Sequence, residues 1–115
     1  MEMERHRESS CHGRIVFVTA GKREVADKLA RVLVGERLAA CVSIVDGVTS
    51  IYRWEGEVVE DRELLLIIKT WNDRFEELKA RILAEHPYQV PEIVALPLED
   101  GHQAYLEWVQ RETRV

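Results

Sequence analysis

Two long runs of strand-forming residues decide the fold: CVSIVDGVTSIYRW at Cys41–Trp54 and EVVEDRELLLIIKT at Glu57–Thr70, separated by the pair EG. Both runs are rich in β-branched and aromatic residues, which favour strands. The EG pair between them has the length of a tight hairpin turn. The break at Asp46-Gly47 predicts a bend or bulge within the first strand. The sequence therefore predicts one long central β-hairpin.

Shorter elements flank this hairpin on both sides. Upstream, Ile15–Thr19 is predicted as a buried strand and Lys22–Arg37 as an amphipathic helix. Downstream, the pattern predicts a helix that ends near Glu85, a strand at Ile93–Leu98 and a last helix at His102–Arg114. This order matches the split βαβ arrangement, in which two helices cover one face of a four-stranded antiparallel sheet. We therefore predict an α+β protein with a ferredoxin-like βαββαβ fold and an extra C-terminal helix.

Two of the predicted helices carry capping signals at their starts. Asp73 and Glu76 have the spacing of a capping box, and Asp100 precedes the last helix as a candidate N-cap. The first of these helices is expected to place Leu78 and Leu83 on its apolar face.

Length and composition limit the domain count and the class of partner. The 115 residues fit a single domain at 15–115, and the polar segment 1–14 lacks periodicity and is predicted to be a disordered leader. In that leader, His6, Cys11 and His12 either bind a soft metal or occur there by chance and bind none. The net charge is −5 without a basic segment, so nucleic acid is not the expected partner. Two cysteines and no long apolar run favour a cytoplasmic protein outside the membrane.

The segment Leu64–Ile68 is apolar at every position. Alternate side chains of a strand point to opposite faces, so both faces of the sheet need cover here. Two helices cover only one face. We therefore expect an obligate homo-oligomer. The alternative is that the last helix, with Tyr105 and Trp108, folds over the second face.

Several stretches closely resemble the CutA family of divalent-cation tolerance proteins, over about Ile15 to Thr113. The matching stretches are RLAACVSIVDGVTSIYRWEGEVVE (Arg37–Glu60), LLLIIKT (Leu64–Thr70), HPYQVPEIVALP (His86–Pro97) and YLEWV (Tyr105–Val109). The resemblance implies a ferredoxin-like protomer in a tightly packed homotrimer, with long hairpins that cross subunit boundaries. This agrees with the independent argument from the double-sided strand.

The resemblance also implies metal binding near the HPYQVPE segment, in a cleft between subunits. His86 and Glu92 match the histidine and glutamate of the family motif. Copper-binding relatives add a cysteine and a second histidine where this chain has Val18 and Glu85. We therefore expect at most a weak Cu(II) or Zn(II) site at His86, Glu92 and Glu85, and no required cofactor. Alternatively, His86 complements a helix terminus and Glu92 holds the loop.

Three aromatic residues, Tyr52, Trp54 and Tyr88, are predicted either to anchor a subunit interface or to line a ligand pocket. Cys41, between Ala40 and Val42, is predicted as a small buried hydrophobe.

The acidic residues of the hairpin, Glu60, Asp61 and Glu63, are predicted to be exposed and to serve solubility. The sequence contains no GxSxG, HExxH, P-loop or dinucleotide-binding motif, so we expect no enzymatic activity. The leading hypothesis is a CutA-like homotrimer linked to divalent metal tolerance. The alternative is a module that resembles the PII signalling proteins and binds a small effector or a protein partner at the clefts.

Overall fold

In the computed structural model, which describes residues 12–114, four strands form one antiparallel sheet in the order β2-β3-β1-β4. The elements in chain order are β1 Gly13–Ala20, α1 Arg23–Gly35, β2 Cys41–Trp54, β3 Glu57–Trp71, a 3₁₀ turn Asn72–Arg74, α2 Phe75–Glu85, β4 Ile93–Pro97 and α3 Gln103–Glu112. This confirms the predicted α+β architecture with its extra C-terminal helix. No helix in this part of the chain has the length and apolarity that a membrane crossing requires.

The central hairpin is as long as predicted, with 14 residues in β2 and 15 in β3. A register shift between Val45 and Val48 confirms the predicted bulge, where Gly47 adopts a φ of 75°. The bulge changes which β2 side chains share a face with the odd-numbered residues of β3. Val45 lies opposite Leu65, whereas Val48 lies opposite Glu63. Even-numbered β2 residues therefore continue on that face beyond the bulge.

The main core lies between one face of the sheet and the helices α1 and α2. Its fully buried side chains include Val16 and Val18 of β1, Leu66 and Ile68 of β3, Leu29 and Leu33 of α1, and Leu78 and Ile82 of α2. Leu83, predicted on the same apolar face of α2, is instead exposed. Its position next to Ile82 on the helix turns it away from the sheet.

The second face of the sheet is covered at one end only. There α3 packs Val109 against Trp71, and the Tyr105 hydroxyl lies 3.5 Å from the thiol of Cys41. Cys41 is half-buried rather than fully buried. Elsewhere on this face large side chains stay in contact with solvent, with exposures of 42% for Val45, 50% for Val94 and 52% for Leu96. The last helix, which was the alternative cover for this face, therefore covers it only in part, and assembly with other copies stays a prediction.

Three local predictions about element starts differ from the structure. Strand β1 begins at Gly13 rather than Ile15, because Gly13 pairs with Trp71 and extends the sheet into the segment assigned to the leader. Residues 1–11 of that leader, with His6 and Cys11, lie outside the described residues. The capping predictions are wrong: neither α2 nor α3 has a side-chain cap. Asp100 binds the backbone N–H of Gly101, and Asp73 binds Arg114.

Candidate functional site

A cavity of about 610 Å³ lies between the distal part of the hairpin and the loop that follows α2. Its principal side chains are Tyr52 and Trp54 from β2, Asp61 and Glu63 from β3, and Tyr88 and Glu92 from the loop. The hairpin residues reach the cavity together because the bulge places even-numbered β2 residues opposite odd-numbered β3 residues. The cavity therefore opens on the second face of the sheet, which the helices α1 and α2 do not cover.

The buried wall of this cleft is built around Glu63. Its side chain is only 7% exposed, and its Oε2 accepts a 2.7 Å hydrogen bond from the hydroxyl of Tyr88. Burial, followed by this hydrogen bond, raises the pKa of Tyr88 well above its ordinary value. Gly21 leaves room for this pair, because a Cβ at that position would lie 2.8 Å from the Tyr88 hydroxyl oxygen and the phenol would have to shift.

The prediction that Glu63 is exposed is wrong, although it is right for Glu60 and Asp61. A carboxylate this buried requires hydrogen-bond partners, and Tyr88 supplies one of them. The signal that could have found Glu63 and Asp61 is the hairpin register. A two-residue turn that pairs Trp54 with Glu57 puts Asp61 beside the aromatic residues of β2.

A second phenol–carboxylate pair lies nearer the hairpin tip. The Tyr52 hydroxyl donates a hydrogen bond to Oδ2 of Asp61. This bond is the main reason that the pKa of Tyr52 lies above its ordinary value. Both phenols of the cleft thus direct their protons at carboxylates of β3.

His86 directly follows α2 as its C-cap and lies beneath Tyr88 rather than in the open cleft. Its side chain is 8% exposed, and its ring centroid is 4.5 Å from that of Tyr88. Nδ1 accepts a 3.2 Å hydrogen bond from the backbone N–H of Tyr88, so the ring proton resides on Nε2, which donates to the carbonyl of Thr19 at 2.7 Å. A metal ion could bind His86 only after one of these bonds breaks.

The other two predicted metal ligands have different surroundings. Glu92 is exposed and lines the cleft. Glu85 is engaged in the helix layer, where it forms ion pairs with Arg81 at 2.5 Å and with Lys28 at 3.1 Å. The hydrogen bond from Arg81, followed by that from Lys28, lowers the pKa of Glu85. Across residues 12–114, no group of three or more His, Cys, Asp or Glu side chains is arranged to hold a metal ion.

The structure thus brings Tyr52, Trp54, Tyr88 and Glu92 together in one cleft, and it places His86 behind the wall and Glu85 outside it. Chemically, this cleft offers carboxylate oxygens and aromatic rings.

Comparison with known proteins gives concordant results. Residues 14–112 match the model of the family described as CutA1 divalent ion tolerance protein. The chain is 58% identical over 99 residues to the divalent-cation tolerance protein CutA of Thermus thermophilus, which covers 86% of this chain and 96% of that one. It is 50% identical over 100 residues to the chloroplastic protein CutA of Arabidopsis thaliana, which covers 87% of this chain but 55% of the plant protein's length.

The same relationship appears among solved structures. The Thermus thermophilus divalent cation tolerance protein superposes with a TM-score of 0.87 at 56% identity, over 89% of this chain and 99% of that one. CutA from Xylella fastidiosa superposes with a TM-score of 0.88 at 37% identity, over 90% of this chain and 99% of that one. Because the match spans nearly all described residues in both sequence and fold, the chain belongs to the CutA1 divalent ion tolerance family.

Proposed function

We propose that the protein acts in divalent-ion tolerance as a non-enzymatic homotrimer that binds a divalent cation, such as Cu(II) or Zn(II), in clefts between its subunits. One observation carries this proposal. The acid-lined cleft opens on the same sheet face on which the protomer leaves Val45, Val94 and Leu96 exposed. Copies that cover this apolar face would also bound the cleft.

The candidate metal ligands differ in their readiness to bind. Of the three predicted ligands, Glu92 lines the cleft. Its carboxylate oxygens are suitable ligands for divalent cations. His86 can join only if Tyr88 moves, because the backbone N–H of Tyr88 occupies Nδ1. Glu85 would have to leave its ion pairs with Arg81 and Lys28. A site that uses Glu92 therefore needs ligands from a second subunit or a displaced loop, which accords with weak binding.

Isothermal titration with Cu(II) and with Zn(II) tests this proposal. The parent should show saturable heat, Glu92→Gln should weaken binding, and His86→Ala should weaken it only if the loop rearranges. Glu99→Gln, which removes an exposed carboxylate after β4, is the matched control and should bind as the parent does. Absence of saturable heat with either metal would remove the metal from the proposal.

The aromatic walls favour a second candidate, the PII-like module that binds a small effector or a protein partner. Tyr52, Trp54 and Tyr88 line a volume within the range of small-molecule sites. A thermal-shift screen of nucleotides and carboxylates tests this candidate. A ligand at a hundred times its Kd should stabilise the fold by about 2.7 kcal/mol. A flat screen would count against this class of effector.

We place this function in the cytoplasm. Cys41 forms no disulfide among the described residues and contacts a phenol instead. A free half-buried thiol is ordinary in a reducing compartment. Cell fractionation with a compartment marker tests the location, and recovery in an extracytoplasmic fraction would contradict it.

A further inference from the structure

We propose that the cleft binds an organic ammonium ion, of the class of protonated diamines and polyamines. This inference rests on the proposed function in that it assigns a ligand class to the same cleft. Three independent properties of the wall carry it: its charge, the direction of its hydrogen bonds and its aromatic surface.

The charge of the cleft has one sign. Asp61, Glu63 and Glu92 line it, and none of the described residues in its wall is Lys, Arg or His. The basic side chains nearest in sequence do not offset this charge, because Arg62 lies between Asp61 and Glu63 on β3 and its side chain belongs to the opposite sheet face. The wall that this protomer contributes is therefore complementary to a cation.

Both phenol–carboxylate hydrogen bonds of the wall run from the phenol to the carboxylate. Tyr88 donates to Glu63 and Tyr52 donates to Asp61, so both phenolic protons are already used. What these four groups still offer is acceptor capacity, on the second carboxylate oxygens and on the phenol oxygens. A ligand that satisfies them must donate N–H or O–H bonds, and an alkylammonium group donates up to three.

The aromatic surface distinguishes an organic cation from a bare metal ion. Tyr52, Trp54 and Tyr88 remain 40%, 40% and 36% exposed in the protomer. Ring faces attract ammonium groups through cation–π interactions, and rings also bury methylene groups. A metal ion would need a cluster of ligating side chains, which the described part of the chain does not assemble within one protomer. A polyamine can use the rings and the carboxylates together.

Titration of the 115-residue chain with spermidine, followed by calorimetry and by tryptophan fluorescence, tests the inference. Trp54 lies in the cleft wall, so a fluorescence change that Trp54→Leu abolishes reports on occupancy. Asp61→Asn removes one charge at an exposed position, and Trp54→Leu removes one ring. Each should weaken binding roughly five- to tenfold, as expected for losing one charge-assisted or cation–π contact. Glu60→Gln is the matched control, because Glu60 is the exposed neighbour of Asp61 on the other face and should leave affinity unchanged.

The ligand series separates the three properties of the wall. Neutral 1,4-butanediol should not compete with spermidine, and tetramethylammonium, which has no N–H, should bind at least about tenfold more weakly. Equal weakening by Glu60→Gln and Asp61→Asn would indicate general charge attraction and would overturn the site. Metal binding without spermidine binding would overturn this inference and leave the proposed function standing, whereas absence of both would remove the two together.

Discussion

Tyr88 donates a 2.7 Å hydrogen bond to Glu63, although 25 positions separate the two residues in the chain. The bond ties the loop after α2 to the middle of β3. It lies on top of a second link, in which His86 binds the Thr19 carbonyl at the end of β1. The loop wall of the cleft is thus held by two polar contacts to two neighbouring strands.

The first prediction concerns the stability of this wall. Tyr88→Phe removes the donor from a carboxylate that is only 7% exposed, so it should lower the free energy of unfolding by about 1–2 kcal/mol, measured by urea denaturation. Tyr52→Phe removes a similar bond from the exposed Asp61 and should destabilise the fold clearly less than Tyr88→Phe does, because water replaces the lost donor. Equal losses in the two variants would contradict the assignment of Glu63 as a buried acceptor.

The second prediction concerns alkaline pH. All three tyrosines have raised pKa values: Tyr88 mainly through burial, Tyr52 mainly through its bond to Asp61, and Tyr105 through burial, which with Cys41 brings its pKa to about 12. The native state therefore holds these protons more tightly than the unfolded state. The stabilisation that these three protonated phenols contribute should be fully present below the unfolded tyrosine pKa of about 10. It should be lost as pH rises from there through the higher native pKa values.

Absorbance at 295 nm, recorded against pH in buffer and in concentrated urea, measures this difference. The native curve should lie at higher pH than the unfolded curve for all three tyrosines. Coincident curves would show that the phenols are not hydrogen-bonded as described.

Sequence patterning was sufficient for the hairpin because its signals are local. β-branched residues, the EG turn and the Asp46-Gly47 break each act within a few residues, and the structure has all three features. Gly56, at a φ of 83°, supplies the left-handed conformation that the turn needs. Local pattern also singled out Tyr52 and Tyr88 as aromatic candidates, and both line the cleft.

Sequence reasoning failed where a distant contact decided the outcome. The composition around Glu63 is charged, so it indicates exposure, yet Tyr88 from a later loop buries and binds it. Likewise, the capping-box pattern at Asp73 and Glu76 is a local preference, but Arg114 offers Asp73 two hydrogen bonds of 2.7 Å. Asp73 also lies inside the 3₁₀ turn, and Arg74 rather than Asp73 holds the N-cap position of α2.

The third prediction compares two contacts that hold α3. The Asp73–Arg114 pair is largely exposed, so Arg114→Ala should cost less than about 1 kcal/mol despite its good geometry. Val109 is fully buried against Trp71, so Val109→Ala should cost about 2 kcal/mol or more. Urea denaturation at neutral pH measures both losses, and a larger cost for Arg114→Ala would contradict the ranking.

Acid provides a check on the same pair. The hydrogen bonds from Arg114 lower the pKa of Asp73. The pair therefore stabilises the native state above the unfolded aspartate pKa of about 3.9, and this contribution is lost as pH falls through the lower native value. The stability difference between the parent and Arg114→Ala should shrink below about pH 4. A difference that stays constant down to pH 2 would mean that Arg114 acts through packing alone.

The fourth prediction concerns assembly. Val94 and Leu96 lie on the second sheet face, beside β1, and stay about half exposed in the protomer. If copies of the chain cover this face, light scattering at micromolar concentration should give three times the 13.4 kDa chain mass.

The double variant Val94→Asp/Leu96→Asp should scatter as a single chain and lose thermal stability, because each carboxylate would be desolvated in the interface. Leu83→Asp, at an equally exposed position on α2, tests whether any added charge has this effect and should assemble as the parent does. A parent that stays monomeric and well folded at this concentration would exclude the trimer. The cleft would then have to bind its ligand with the walls of one protomer alone.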